Sequence, residues 1–216
     1  MTEPLKIGVL LSGSGTNLQA IIDAAAEGLP VEIVHVVSSR PDAFGIERAH
    51  RAGIPVTVLN RDVYADPVEA DKRIAETLRY AHAEYVVMAG YMRKVTPVLL
   101  DAFPDRVLNL HPALLPSFKG AHASRTRRRG GEVRASPGPP ASEPSGSMTE
   151  PMGPRIDGAQ SSAARAWRCA RTTPLDDLEA RIHEVEHVLY PEVLRLVAEG
   201  RRDRGRGSQG AYRPAR

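Results

Sequence analysis

Five short apolar runs, separated by segments with helical spacing, constrain this chain more than any other feature. The runs are 5–11, 31–37, 54–59, 84–89 and 106–109. The first two are nearly continuous rather than alternating, as expected for strands covered on both faces of a sheet. Between the runs, 17–27, 43–52 and 67–81 read as helices, and a shorter one runs from Thr96-Pro97 to about Phe103. Leu18, Ile21, Ile22 and Ala25 share one helical face. Gly28, Gly53 and Gly90 end elements, and Pro67 suits a first helical turn. Strand–helix alternation of this kind predicts an α/β fold with a doubly wound, mostly parallel sheet. His35, mid-strand among apolar neighbours, reads as a core or edge histidine.

The first strand runs into Ser12-Gly13-Ser14-Gly15-Thr16-Asn17 and then into a helix. Such a loop aims backbone N–H groups and the positive end of the helix dipole at one point, which suits a phosphate. Gly13 and Gly15 allow close backbone approach, and Thr16 and Asn17 add side-chain donors. The dinucleotide pattern G-x-G-x-x-G is not met, because Leu18 stands where its third glycine would be. A tight turn that needs glycine only for its backbone is the competing reading.

The fifth strand carries the second chemical signal, Asn109-Leu-His111-Pro112 within 106–120. Two residues apart on a strand, Asn109 and His111 point to the same face. Pro112 ends the ladder, so both sit near the C-terminal lip, where open α/β sheets bind ligands. An amide holds a developing oxyanion, and an imidazole moves protons near neutral pH.

Composition narrows the class. At 216 residues the chain is long enough for one sizeable core. Its net charge of +3 gathers in Arg-rich stretches after residue 124, so no nucleic-acid footprint is expected for the domain. A single cysteine, Cys169, excludes an internal disulfide framework. There is no apolar run of membrane-spanning length and no leader-like start, so a cytoplasmic location away from membranes is expected.

Three signatures therefore stand in order: Ser12-Gly-Ser-Gly-Thr-Asn17, Ala89-Gly-Tyr-Met-Arg93 and Asn109-Leu-His-Pro-Ala-Leu-Leu-Pro116. Together they resemble the phosphoribosylglycinamide formyltransferase family, folate-dependent enzymes of purine synthesis with a formyltransferase-like Rossmann fold. The resemblance covers about 5–123 and resumes at about Thr173, where 175–191 looks like the family's closing helix. It implies formyl transfer from 10-formyltetrahydrofolate, a co-substrate, to the amine of 5-phosphoribosylglycinamide in de novo purine (IMP) synthesis, without a metal. It further implies that Gly15, Thr16 and Asn17 hold the 5′-phosphate and that Glu186 meets the sugar or amine. Met92, Arg93, Lys94 and Val95 would line the folate pocket, largely through backbone. Asn109 would bond the formyl oxygen, and His111 would be the general acid/base. Small-molecule partners and a monomer or homodimer are expected.

The chain departs from the family between about Ser124 and Arg171. Residues 126–131 are mostly Arg and Gly, and 135–146 are Pro, Ser, Gly and Ala. Such a composition buries too little surface to offset ordering entropy, so an irregular or disordered insert without strands is expected within a single domain over 1–199. It also fits a stretch of gene read out of frame. Back-translated and started two bases later, Ser147-Met-Thr-Glu-Pro-Met-Gly-Pro154 permits Asp-Asp-Gly-Thr-Asp-Gly-Pro, close to the family's Asp-x-Gly-x-Asp-x-Gly-Pro loop. The family's aspartate partner of the catalytic histidine is then missing. Asp157 lacks the right context, and turnover would be weak. An unpaired sheet edge would follow from the two lost strands. The arginine that the family often sets before its third helix is also absent, since 65–69 read Ala-Asp-Pro-Val-Glu.

The closing helix, 175–199, places Leu178, Ile182, Val185, Leu189, Val193 and Leu196 near one face, and Pro191 is expected to break or kink it. The tail 200–216 reads as basic and disordered. Competing functional readings are another 10-formyltetrahydrofolate enzyme, a hydrolase or a transfer-RNA formyltransferase, or a nucleotide-binding remnant with impaired catalysis.

Overall fold

A computed structural model of the chain describes residues 3–111, 144–151, 163–168 and 175–204, with side chains described over 3–110 and 180–200. The expected alternation is present. The elements are β1 (Leu5–Leu11), α1 (Thr16–Ala26), β2 (Val31–Ser38), α2 (Gly45–Arg51), β3 (Val56–Val58), α3 (Pro67–Tyr80), β4 (Tyr85–Met88), α4 (Pro97–Ala102) and β5 (Val107–His111). A 3-10 turn, Val63–Ala65, precedes α3. Two further strands, β6 (Pro144–Pro151) and β7 (Ala163–Arg168), lead to the closing helix α5 (Leu175–Arg204).

The sheet order is β3-β2-β1-β4-β5-β6-β7. The first five strands of that order are parallel, and β6 and β7 add antiparallel. The chain winds outward from β1 through β2 to β3, then returns to β4 on the other side of β1. The switch point therefore lies between the C-terminal ends of β1 and β4. In open α/β sheets, that crevice is where ligands bind.

Each face of the sheet has its own core. On one face Leu5, Ile7, Val9 and Leu11 of β1 pack with Leu18 and Ile21 of α1 and with Leu189, Tyr190, Val193 and Leu194 of α5. On the other, Leu10, Val86 and Met88 meet Ile74 and Leu78 of α3 and Leu99 of α4. A side chain added at Gly8 would lie 2.5 Å from a Leu78 methyl, so α3 sits directly on the β1 backbone.

Three expectations need correction. The stretch expected to lack strands carries β6 and β7, and β5 pairs with β6 from Leu108 to His111, so β5 is not the exposed edge. Strand pairing is made by backbone groups and does not need an apolar pattern. The prolines of β6 stand at its two ends, where a missing N–H costs least. Pro191 does not break α5, which runs through it without interruption. Fully or almost fully buried neighbours on both sides, Leu189, Tyr190, Val193 and Leu194, hold the helix there by tertiary packing. Leu196, expected on the packed face, is 44% exposed, while Leu194 and Ala198 face inward. Asp157, Cys169 and the tail from 205 lie outside the described residues.

Candidate functional site

The expected site residues gather at the C-terminal edge of the parallel strands. Gly15 caps α1 with φ +68, the left-handed region that glycine adopts without strain. A Cβ there would stand 2.5 Å from the Gly45 Cα, so α2 sits against the loop. The Gly45 N–H donates to the Gly13 carbonyl oxygen at 3.1 Å. Arg48 completes the clamp: its Nε donates to the Ser14 carbonyl at 2.9 Å and one terminal nitrogen to Gln19 Oε1 at 3.1 Å. The first turn of α1 carries no acidic residue of its own, and its backbone N–H groups face the loop, the arrangement that suits an anion.

Asn17 and Glu186 are drawn together across 169 positions of sequence. Asn17 Nδ2 donates to Glu186 Oε2 at 2.9 Å, and both side chains are buried. Asn17 Oδ1 is buried and has no hydrogen-bond partner among the described residues. These two residues, both expected to meet a ribonucleotide, are bonded to each other, and the pair fastens α5 to the start of α1. One turn on, the Tyr190 hydroxyl donates to the Met88 carbonyl of β4 at 2.6 Å. Burial pushes that hydroxyl well above its ordinary pKa, the Glu186 carboxylate adds to the rise, and a backbone hydrogen bond with Leu110 opposes it. Tyr190 thus ties α5 to β4 and β5 at Met88, which pairs with Asn109.

Ser12 links the two loops at the switch point, a role that the sequence did not reveal. Its Oγ lies 2.6 Å from Ser39 Oγ and accepts the Met92 N–H at 2.9 Å. Serine at a strand end is too common to signal this; only the sheet order places β1 beside β4. In the loop after β4, Met92, Arg93 and Lys94 are exposed while Tyr91 and Val95 are buried. The Arg93 guanidinium lies over the Tyr64 ring, 4.6 Å from its centroid. The Tyr64 and Tyr91 hydroxyls are 3.0 Å apart, and Asp71 of α3 accepts the Thr96 N–H. Burial raises the pKa of Asp71, and the bond from the Thr96 N–H opposes the rise.

Asn109 lies in β5 opposite Met88 of β4, and His111 ends the strand opposite Met148 of β6. The backbone therefore sets both at the lip, on the edge that carries the Gly15 loop. The His111 side chain lies outside the described ones. His35 is half-buried and bonds Thr57 Oγ1 at 2.9 Å, the internal role expected of it. His187 stacks on His183 with centroids 6.3 Å apart. Its pKa is lowered by burial first, then by His183 and Arg48. An open groove of about 440 Å³ between α1 and α5 holds none of the expected site residues. It follows the C-terminal half of α1, past Asp23 and Glu27, away from the Gly15 loop.

A doubly wound sheet with a glycine loop and an amide-bearing strand end on one edge is an α/β scaffold of the kind that enzymes use. The chain belongs to the formyl transferase family, whose model matches residues 5–194. It is similar to phosphoribosylglycinamide formyltransferase of Haemophilus influenzae, 33% identical over 91% of this chain and 88% of that protein. It is 34% identical to the trifunctional purine biosynthetic protein adenosine-3 of Chironomus tentans, spanning 90% of this chain but 14% of that protein. Among solved structures it resembles glycinamide ribonucleotide transformylase 1 of Symbiobacterium toebii, with TM-score 0.83, 38% identity and coverage of 93% and 91%.

Proposed function

We propose that this protein transfers the formyl group of 10-formyltetrahydrofolate to the primary amine of 5-phosphoribosylglycinamide, a step of de novo purine synthesis. The observation that carries this reading is the convergence of the Gly15 loop, the Met92 loop and Asn109 on one sheet edge, with Ser12 bonded across the switch point. The family match over 5–194 supports it. The 5′-phosphate sits on the backbone of Gly15, Thr16 and Asn17. Glu186 sets the Asn17 amide, and the amide's buried Oδ1 is left for the ribonucleotide. The folate lies along Met92, Arg93, Lys94 and Val95.

The chemistry is an acyl transfer between nitrogens. The glycinamide amine attacks the formyl carbon, and the carbonyl electrons move onto oxygen. Asn109 donates to that oxyanion, an interaction worth a few kcal/mol because it is stronger in the transition state than before it. The new C–N bond forms, and the bond to N10 breaks. His111 takes the proton from the incoming nitrogen and returns it to N10, a shuttle worth about 10²–10⁴ in rate.

Steady-state formyl transfer between these two substrates tests the reading. Wild-type turnover should fall about 10²–10³-fold in Asn109→Ala, with the ribonucleotide KM little changed. Ribonucleotide binding by a folded wild type that never turns over would overturn the enzyme reading and leave a nucleotide-binding protein.

A further inference from the structure

Asp71 is a carboxylate in a costly place. It is 2% exposed, on the face of α3 whose other buried members are Ala70, Ile74, Ala75 and Leu78. An apolar residue would pack there without the penalty of burying an ionisable group. Its Oδ2 accepts the N–H of Thr96, the cap residue of α4 and the end of the loop after β4. The start of that loop is held by Tyr91, whose hydroxyl meets that of Tyr64, and by the Met92 N–H on Ser12. Between these fastenings Met92, Arg93 and Lys94 stand in solvent, with Arg93 stacked on Tyr64. The loop is therefore pinned at both ends and open in the middle, which suits a platform that binds through backbone groups.

We propose that Asp71 is a positioning residue for the formyl donor: through Thr96 it fixes the 92–95 backbone at the spacing the donor's ring edge requires. The Tyr64–Tyr91 hydroxyl pair sets the other end of the same platform. This rests on the reading that 92–95 take the folate. Asp71 touches neither substrate and acts only through the loop, so its loss should weaken one substrate and spare the other.

The test is a KM split in the full-length protein. Asp71→Leu removes the acceptor and keeps the branching at Cγ, in a larger side chain. It should raise the KM for 10-formyltetrahydrofolate by about tenfold, as expected for a lost charge-assisted hydrogen bond. The KM for the ribonucleotide should stay within about twofold, since the Gly15 loop is fastened elsewhere. Asp71→Asn, which keeps an acceptor oxygen, should restore most of the donor affinity. Tyr64→Phe, milder and half-exposed, gives the same split at smaller size if Asp71→Leu does not fold. Equal rises in both KM values, or a folded Asp71→Leu with an unchanged donor KM, overturn the inference while wild-type turnover leaves the underlying reading standing. Failure of the wild type to turn over or to bind tetrahydrofolate overturns that reading, and the inference with it.

Discussion

Asn17 joins a bond that holds the fold to the role proposed for it in the site. Its amide nitrogen meets the buried Glu186 carboxylate, so Asn17→Ala withdraws a donor from a buried acceptor. The expected cost is about 1–3 kcal/mol in urea unfolding, together with a higher KM for the ribonucleotide. Gly15→Ala acts differently: at φ +68, with the Gly45 backbone 2.5 Å from the new methyl, both strain and clash oppose it. A loss of about 1–3 kcal/mol and displacement of α2 are expected. Sequence pattern placed Asn17 at the loop but gave no sign of its bond to Glu186. A contact spanning 169 positions leaves no periodic trace, whereas a glycine that needs positive φ leaves its identity. The histidines give a pH signature. His35 and His187 both have pKa values lowered chiefly by burial, so the fold favours their neutral forms. Their contribution is fully present above about pH 6.5 and is lost as pH falls through the lower folded values. The unfolding midpoint of wild type should drop as pH falls below about 6.5, and His187→Gln should flatten that slope. An unaltered slope would contradict it.

At the scale of elements, the parallel half of the sheet was legible because each strand is a short apolar run and each helix carries its own stripe. β6 and β7 were not, since they are held by pairing to β5 and to each other rather than by composition. The start of α5 was legible, but the helix runs to Arg204, past the expected end at 199 into the stretch read as tail, and near its end the inward face was misread by two residues: Leu194 and Ala198, not Leu196, meet the core. Pro191 tempted a break that packing overrides. This helix does more than cover the sheet, because Tyr190 and Glu186 reach the strand ends and the start of α1 beside the Gly15 loop from the same face. Tyr190→Phe leaves the Met88 carbonyl without its donor in the core. It should destabilise by about 1–3 kcal/mol and also lower formyl transfer, by loosening β4 against β5. Leu194→Ala should cost more stability, about 2–5 kcal/mol, without that specific effect on turnover. Paired unfolding and rate measurements separate the two.

For the molecule as a whole, the sheet order carries the functional argument. Winding outward from β1 in two directions opens a crevice, and Ser12, the Gly15 loop, the Met92 loop and Asn109 are what the crevice displays. Sequence motifs named three of these four; topology was needed to show that they share one edge. The whole account requires a ribonucleotide and a folate to lie along that edge at once, with the amine and the formyl carbon meeting beside Asn109. The most direct measurement is the affinity of a single compound that covalently joins the two ligands through the transferred carbon. If both halves engage together, it should bind at least about 10²-fold more tightly than either ligand alone, and Asn17→Ala should erase much of that gain. A joined compound that binds no better than its stronger half would contradict the shared edge.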